Sequence, residues 1–281
     1  MSGAEKTRKL VDEKLDELAA ALEAGQSESL RQYLAAMGRF HRYSLGNILL
    51  IEMARPDATH VAGYRTWQQL GRQVRQGEKG IQICAPVVVR QKKETESEED
   101  RVVAFRGVTV FDINQTDGRP LPEFAKAQGD PGEHIERLKQ LIAARGIALE
   151  YAENTHGAEG LFTDGKIVIR SGLTPAEEFS VLTHETAHAL LHGSPESRSL
   201  NKTVVETEAE AVAFVVGAGV GLDLGSSSAD YVSLYDGKKE TLLESLEQIR
   251  RVAAEIINAL TASDEAKARD IGVPAEHAVA A

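Results

Sequence analysis

A helix that carries three histidines on one face is the feature that most constrains this chain. The sequence TPAEEFSVLTHETAHALLHG opens with an N-cap threonine, a proline in the first turn and a glutamate at the third helical position, a pattern that starts helices. Its apolar continuation carries His184 and His188, which are four residues apart and therefore share a face. We predict a helix over residues 175–192 that contributes two imidazoles to one metal ion.

The predicted metal is one zinc ion, which accepts imidazole nitrogen at about 2.0–2.1 Å. Glu185 lies about 100° around the helix from His184, so it can take a proton from a bound water instead of binding the ion. A helix whose polar residues simply face solvent is the alternative interpretation. It is disfavoured because the helix is otherwise apolar, and polar groups buried on it without partners would be costly.

The third protein ligand is predicted on the next helical segment, TVVETEAEAVAFVVGAGVGL. Glu206 is the first candidate, Glu210 is expected to accept the N–H of a ligand imidazole, and Glu208 is the main competitor for the ligand position. His192 lies one further turn along the histidine face, but three successive turns of a straight helix diverge too far to hold one tetrahedral ion. We therefore interpret His192 as a polar helix end.

Hydrolysis at such a site also needs a hydrogen-bond donor for a developing oxyanion. The sequence SADYVSLYDG offers Tyr231 and Tyr235, of which we favour Tyr231 as the catalytic donor. Packing at the edge of the following helix explains both tyrosines at least as well, so the sequence leaves this role open.

A basic segment lies within a chain whose net charge is −11. Residues 31–93 carry eleven Lys or Arg and three acids, a net charge of +8, and residues 1–30 carry −3, which leaves −16 for residues 94–281. The basic segment interleaves cations with aromatic rings, which suits single-stranded nucleic acid because cations bind phosphates and rings stack on unpaired bases. Taken singly, each aromatic residue is better explained as part of a core, and it is the segment as a whole that favours a polyanionic partner. The candidate DNA-binding residues are Arg39, Arg42, Tyr43, Asn47, Tyr64, Trp67, Arg72, Arg75 and Lys79.

The composition also bears on location. No run of about 18 apolar residues is present, which excludes a membrane span. The N-terminal sequence MSGAEKTRKLVDEKLDEL is charged and lacks the apolar region of a secretory signal. Cys84 is the only cysteine, so no intrachain disulfide can form and a reducing compartment is indicated. We expect a cytoplasmic protein with no membrane partner.

The periodicity of apolar residues predicts an α+β fold. The N-terminal domain is expected to be mixed α/β, with helices over about 4–24 and 29–53, a short helix between glycines, and two strands flanking the charged loop KKETESEED. The C-terminal domain is expected to be mostly helical with a small sheet, and its last helices lie over about 203–220 and 238–261. The predicted division is a domain over 1–122, a Gly- and Pro-rich linker over 123–131, a domain over 132–263 and a flexible tail over 264–281.

The two halves resemble known families. HETAHALLHG followed by VETEAEAVAFVV resembles the HExxH-plus-glutamate zinc peptidases called gluzincins, in particular the ImmA/IrrE-type peptidases and the metallopeptidase half of ArdC-type antirestriction proteins, over about residues 130–261. The Leu-Met-Pro ending of many ImmA/IrrE members is replaced here by GAGVGLDLG, which favours the ArdC type. YSLGNILLI and PDATHVAGYRTWQQLGRQVRQGEKGIQI resemble the single-stranded-DNA-binding domain of ArdC-type proteins, over about residues 5–120.

The resemblance implies a protein of plasmids and other mobile elements that protects incoming DNA from host restriction. It implies an N-terminal single-stranded-DNA-binding domain, with duplex DNA as a further possible partner, and a C-terminal gluzincin-like metallopeptidase domain. In such a domain Glu185 would act as general base and then deliver the proton to the leaving amine. The sequence does not distinguish zinc from Mn²⁺ or Co²⁺, and it does not show that proteolysis is part of the role.

Two alternative functions stay open at this point. One is an ImmA/IrrE-like peptidase that cleaves a specific repressor, a host protein substrate, with the basic segment as a docking surface. The other is a DNA-binding protein without enzymatic activity, whose metal only stabilises the fold.

Overall fold

The computed structural model describes residues 3–92, 98–118, 130–153, 155, 157–193, 201–222, 231–235 and 237–270. The fold is mixed α+β, as predicted. The chain divides into two compact units: the first comprises Met1–Asp16, Arg42–Pro122 and Ala268–Ala281, and the second comprises Glu17–His41 and Glu123–Lys267. In the part of the chain that the structure describes, no helix is long and apolar enough to cross a membrane.

The helices of the described residues are α1 (Gly3–Glu23), α2 (Glu28–Arg39), α3 (Leu45–Ala54), α4 (Tyr64–Gln69), α5 (Glu133–Ala144), α6 (Pro175–His192), α7 (Lys202–Val220) and α8 (Lys239–Asp270). The strands are β1 (Val61–Gly63), β2 (Arg72–Val74), β3 (Ile81–Lys92), β4 (Glu98–Asp112), β5 (Thr116–Gly118), β6 (Ala148–Ala152), β7 (Gly160–Thr163) and β8 (Lys166–Arg170). Short 3-10 turns follow β4 and precede α8.

Two helix predictions differ from the structure. The single helix predicted over 29–53 is wrong in its middle, because α2 ends at Arg39 and Ser44 starts α3 as an N-cap whose hydroxyl accepts the N–H of Asn47. An N-cap serine begins a new helix since its side chain supplies an acceptor to an otherwise unpaired N–H. The last helix, predicted to end near residue 261, continues to Asp270.

The unit boundaries also differ from the predicted domains at the N-terminal end. The sequence assigns all of residues 1–122 to one domain, whereas Glu17–His41 belongs to the second unit. The predicted linker over 123–131 and the end of the predicted tail fall largely outside the described residues, so both remain predictions.

Two small sheets build the first unit. One is a three-stranded antiparallel sheet in the order β1-β4-β3, and the other pairs β2 with β5. Trp67 of α4 is buried in a cluster with Ala62 and Val74, against which Phe111 packs. The indole Nε1 donates to the Phe111 carbonyl oxygen at 2.8 Å, so Trp67 also fixes the end of β4.

Asp112 ends β4 and organises the turn that follows. Its carboxylate is fully buried; Oδ1 accepts the N–H groups of Thr59 and His60 at 2.8 and 3.1 Å, and Oδ2 accepts that of Asn114 at 2.9 Å. The Gln115 side chain completes the turn by accepting the Asp112 N–H at 3.0 Å. One carboxylate thus satisfies three backbone donors that belong to two separate segments.

We expect Asp112→Ala to lower the free energy of unfolding of the first unit by about 2 kcal/mol, because it removes the acceptor of three backbone N–H groups. Trp67 is the only tryptophan, so its fluorescence during urea unfolding reports on this unit. Asp57→Ala, at an exposed position of a nearby turn, is the control and should leave the midpoint unchanged. A wild-type midpoint for Asp112→Ala would contradict the role assigned to the carboxylate.

The second unit combines helices with a three-stranded sheet in the order β6-β8-β7. The central strand β8 is parallel to β6 and antiparallel to β7, and α6 packs against α7, β7 and β8. Helix α2 packs on α7 at Gly38, where a Cβ atom would lie 2.4 Å from the carbonyl oxygen of Val215 and 2.8 Å from the nitrogen of Gly219. This direct backbone contact is the physical reason why residues 17–41 belong to the second unit.

Candidate functional site

Helix α6 begins where the sequence predicts. The Thr174 hydroxyl accepts the N–H of Glu177 at 3.4 Å, and the Glu177 carboxylate accepts the N–H of Thr174 at 2.8 Å. This reciprocal cap defines the first turn, and the prediction of a helix over 175–192 is confirmed. Because every later side chain follows from that start by a regular rotation, the cap also determines the face that His184 and His188 share.

The structure brings the three predicted ligands together. The Nε2 atoms of His184 and His188 are 3.0 Å apart, and Oε2 of Glu206 on α7 lies 3.6 Å from the first and 3.4 Å from the second. All three ligand atoms fall within 4.8 Å of one another. We call these three residues the ligand cluster. Two imidazole nitrogens and one carboxylate oxygen are a donor set of catalytic zinc sites that keep a position for water, so the cluster fits one divalent cation.

Burial keeps His188 in the form that binds metals. Burial and, after it, the proximity of His184 lower the pKa of His188 to about 4. The imidazole is therefore neutral at neutral pH, as metal coordination requires. The His188 side chain is 12% exposed whereas that of Glu206 is 66% exposed, so the cluster is open to solvent at its carboxylate.

Glu208 makes its contacts away from the ligand cluster. Its Oε2 lies 3.4 Å from Nε2 of His192, and its Oε1 accepts the hydroxyl of Ser245 on α8 at 2.6 Å. Burial raises the pKa of Glu208 and lowers the pKa of His192. These contacts favour Glu206 over Glu208 as the third ligand. They also show that His192 contacts α7 through its ring, where the sequence suggested only a polar helix end.

Glu210 and Tyr231 are the two residues predicted to assist the metal ligands. Among the described residues, no hydrogen bond joins Glu210 to His184 or His188, so the expected second contact of a ligand imidazole differs from the structure. Tyr231 is fully buried, with its ring 6.2 Å from that of Phe214. This matches the packing interpretation of Tyr231, and its role as an oxyanion donor remains a prediction.

Strand β7 contacts Glu185 next to the ligand cluster, a contact that the sequence did not predict. The side chain is 8% exposed, and the N–H of Phe162 on β7 donates to its carboxylate. Burial is the main cause that raises the pKa of Glu185 to about 7, and the nearby charge of Glu206 also raises it. A Cβ atom at Gly160 would lie 2.8 Å from Cγ of Glu185, so the strand can approach only because this residue is glycine. A glycine inside a strand pattern is the signal that could have indicated this approach.

Two predicted DNA contacts are interior residues, and these predictions are corrected. Trp67 is 1% exposed within its cluster. Asn47 is 2% exposed, and its amide donates to the Cys84 carbonyl oxygen at 2.8 Å while accepting the Cys84 N–H at 2.9 Å. Both residues join a helix to a strand of the first unit, and neither presents a free ring or amide to a base.

Three further candidates lie at partly buried positions. Arg39 belongs to the second unit, where its guanidinium lies 5.6 Å from the ring centroid of Phe40. Tyr43 is half-buried, and its hydroxyl donates to the carbonyl oxygen of Val61 at 3.2 Å. Arg42 is also half-buried. Of the three, Arg42 and Tyr43 belong to the same unit as the remaining DNA-binding candidates.

Two of the predicted arginines are engaged within the first unit. The Arg72 guanidinium donates to Oγ1 of Thr116 at 2.7 Å and to its carbonyl oxygen at 3.0 Å, which ties β2 to β5. Arg75 pairs with Glu78 at 2.9 Å and with Asp117 at 3.3 Å. These contacts reduce what either arginine can contribute to binding a phosphate.

Tyr64 and Lys79 are exposed on the first unit. Tyr64 is 43% exposed, and its hydroxyl accepts a hydrogen bond from Nε2 of Gln73. Because its ring faces solvent, it has the property that stacking on an unpaired base requires.

The N-terminal part of the chain is related in sequence to a known family. Residues 8–111 match the family model for the N-terminal domain of anti-restriction factor ArdC. Uncharacterized protein pXO2-81 of Bacillus anthracis is 25% identical over 304 aligned residues, covering 91% of this chain and 51% of that protein. Uncharacterized protein y4eC of Sinorhizobium fredii is 32% identical over 116 residues, covering 37% of each. The chain thus spans about half the length of the first of these relatives and 37% of the second.

The fold is similar to that of solved structures over most of the chain. The metal-free crystal structure of the antirestriction ArdC protein from plasmid R388 matches with a TM-score of 0.52 and 20% identity, over 90% of this chain and 98% of that one. The Mn(II)-bound structure of the same protein matches with a TM-score of 0.51 and 19% identity. At this identity the likeness shows the fold, which extends through both units.

Proposed function

We propose that this chain, which is an ArdC-type protein in the sequence of its N-terminal domain and in its fold, is an antirestriction protein that binds single-stranded DNA and one divalent cation. The observation that carries the proposal is the family match of residues 8–111, since that domain belongs to an anti-restriction factor. The first unit would bind the DNA, and the second would hold the cation at the ligand cluster.

Zinc is the ion that we propose for the ligand cluster. Two imidazoles and a carboxylate suit zinc, and the Mn(II)-bound form of a protein of the same fold supports a divalent metal in general. Calorimetric titrations with Zn²⁺, Mn²⁺ and Co²⁺ would rank the three ions directly.

We further propose that the second unit is a gluzincin-like hydrolase of peptide bonds. A divalent cation bound there would polarise a carbonyl group and acidify a coordinated water. Glu185 is placed to accept a proton at its carboxylate and to return it to a leaving amine. The strand β7 is an edge of its sheet among the described residues, and its Phe162 already contacts Glu185. An extended segment of a host protein, paired with that edge, would lie beside the carboxylate.

The DNA part of the proposal is tested by fluorescence anisotropy of the full chain with labelled oligonucleotides. We expect tighter binding to a dT single strand than to a duplex, and weaker binding at about 200 mM than at about 50 mM salt, because bound cations displace the counterions of the phosphates. An affinity that does not change with salt concentration, or that is higher for the duplex than for the single strand, would count against a single-stranded-DNA-binding protein.

The hydrolytic part is tested by Glu185→Gln, which keeps the size of the side chain and leaves all three residues of the ligand cluster in place. We expect this variant to bind DNA and metal like the wild type. It should lower the survival of unmodified DNA introduced into a restricting host by at least about tenfold, since a general base contributes about 10²–10⁴-fold to a rate. Full protection by the variant would instead support the alternative of a metal that only stabilises the fold.

A further inference from the structure

A cleft of about 630 Å³ opens on the first unit, a volume within the range of small-molecule sites. Rings and an aliphatic side chain form its apolar part, and its polar part comprises three charged residues together with Gln73 and Gln76. The residues that matter here are Tyr64, Val74 and Phe111, and Arg75, Glu78 and Asp117.

Both rings have contacts within the first unit. Gln73 donates a hydrogen bond to the Tyr64 hydroxyl, and Phe111 packs on the cluster of Trp67, whose indole donates to the backbone carbonyl oxygen of Phe111. Val74 is 8% exposed and packs in the same cluster as Trp67. Because the Tyr64 hydroxyl is hydrogen-bonded and Phe111 is packed before any ligand arrives, a base that stacks there loses less free energy to ordering of side chains than it would on unpacked rings.

The charges of the cleft argue against a phosphate ligand. Arg75 lies between the carboxylates of Glu78 and Asp117, at 2.9 and 3.3 Å, and also donates to the carbonyl oxygen of Asn114. The three charged side chains therefore sum to −1. Hydrogen bonds from Gln115 and then Arg75 lower the pKa of Glu78, so this carboxylate stays ionised at neutral pH. A negative cleft repels a phosphate and accepts a ligand that donates hydrogen bonds.

Asp117 provides a carboxylate oxygen that can accept hydrogen bonds from a ligand. Its side chain is 73% exposed, and Arg75 contacts only its Oδ1 in the ion pair. A carboxylate binds the amino groups of bases, and the exposed edge of an unpaired guanine presents two adjacent donors, N1–H and N2–H, beside the acceptor O6. Thymine presents a single donor between two acceptors, which a carboxylate repels.

We infer that this cleft binds one unpaired, amino-bearing base of the single-stranded DNA, with guanine preferred over thymine. The base would stack on Tyr64 with its donors on the Asp117 carboxylate and its O6 facing the Arg75 guanidinium. This inference rests on the proposed function, because the base belongs to the DNA that the first unit is proposed to bind.

The test uses the full chain and dT oligonucleotides that carry one central dG, one central deoxyinosine or no substitution. Deoxyinosine is the matched control because it lacks only the 2-amino group of guanine. We expect the dG oligonucleotide to bind about tenfold more tightly than the other two, the effect of one hydrogen bond to a charged group. Asp117→Asn should bring the ratio of the dG and deoxyinosine affinities close to one.

Stacking is tested separately by Tyr64→Ala, which should weaken binding of every oligonucleotide by about fivefold or more. Tyr64→Phe keeps the ring and loses only the contact with Gln73, so it should retain most of the affinity. Trp67 fluorescence verifies that both variants are folded.

Equal affinities for dG, deoxyinosine and unsubstituted dT, with binding otherwise intact, would overturn the base site and leave the proposed function standing. Equal losses in Tyr64→Ala and Tyr64→Phe would also overturn it, because the ring would then not be the binding element. If the full chain bound no single-stranded DNA at all, the proposed function would fail and the base site with it.

Discussion

His188→Ala is expected to weaken binding of a divalent cation by more than about 100-fold. Loss of a residue that only orients a metal ligand already lowers metal affinity by about 10–100-fold. His188 itself offers one of the three candidate ligand atoms, which lie within 4.8 Å of one another. Calorimetric titration of the purified chain with Zn²⁺ measures the effect, and circular dichroism verifies that α6 is retained. Unchanged affinity in this variant would remove the ligand cluster as the metal site.

The same titration identifies the third ligand. Glu206→Gln should match the loss of His188→Ala, whereas Glu208→Gln should change the affinity only slightly, because Glu208 contacts His192 and Ser245 instead. The two variants make the same chemical change two positions apart on α7, so each serves as the control of the other. A larger loss for Glu208→Gln would move the ligand assignment to that residue.

Gly38→Ala is expected to destabilise the second unit by about 3 kcal/mol or more. The added methyl group would lie 2.4 Å from the carbonyl oxygen of Val215, and backbone cannot rotate away as a flexible side chain can. Helices α2 and α7 must therefore separate, and overpacking of this kind costs about 1–3 kcal/mol even when side chains can adjust. Thermal unfolding followed by circular dichroism, together with hydrogen exchange of the α7 amides, measures the loss.

Gly46→Ala is the matched control for this prediction. Gly46 is also a glycine within a helix, but its added Cβ atom would meet Val11 at an ordinary contact distance of 3.5 Å. Because alanine favours helices over glycine by up to about 1 kcal/mol, this variant should be neutral or slightly more stable. Equal stability of Gly38→Ala and Gly46→Ala would mean that the close backbone contact at Gly38 does not stabilise the packing of α2 on α7.

Local features of the sequence were predicted well. The helix α6 and its threonine cap depend on residues within a few positions of one another, and both are confirmed. The same holds for the shared face of His184 and His188, which follows from helical geometry alone. The resemblance to ArdC-type proteins is confirmed in sequence over residues 8–111 and in fold over 90% of the chain, whereas the metallopeptidase assignment of the C-terminal half stays a prediction.

The exposure of the DNA-binding candidates was predicted less well, because composition does not indicate which side chains face solvent. Trp67 and Asn47 lie in a basic, aromatic segment, yet both are buried and bonded to strand residues far along the chain. Arg75 has the right charge, but Glu78 and Asp117 neutralise it. Pairings with partners as far as 44 residues away, such as that of Trp67 with Phe111, leave no periodic signal.

By itself the sequence determined the extent of α6, its cap and the shared face of His184 and His188, since each follows from contacts within one or two turns. Only the tertiary structure favours Glu206 over Glu208 as a ligand, because that preference depends on how α7 is rotated against α6 and on the contacts of Glu208 with His192 and Ser245. It also brought β7 against Glu185 through Gly160 and placed residues 17–41 in the second unit through Gly38. These are outcomes of close packing between distant segments, where a missing methyl group decides whether two backbones can meet.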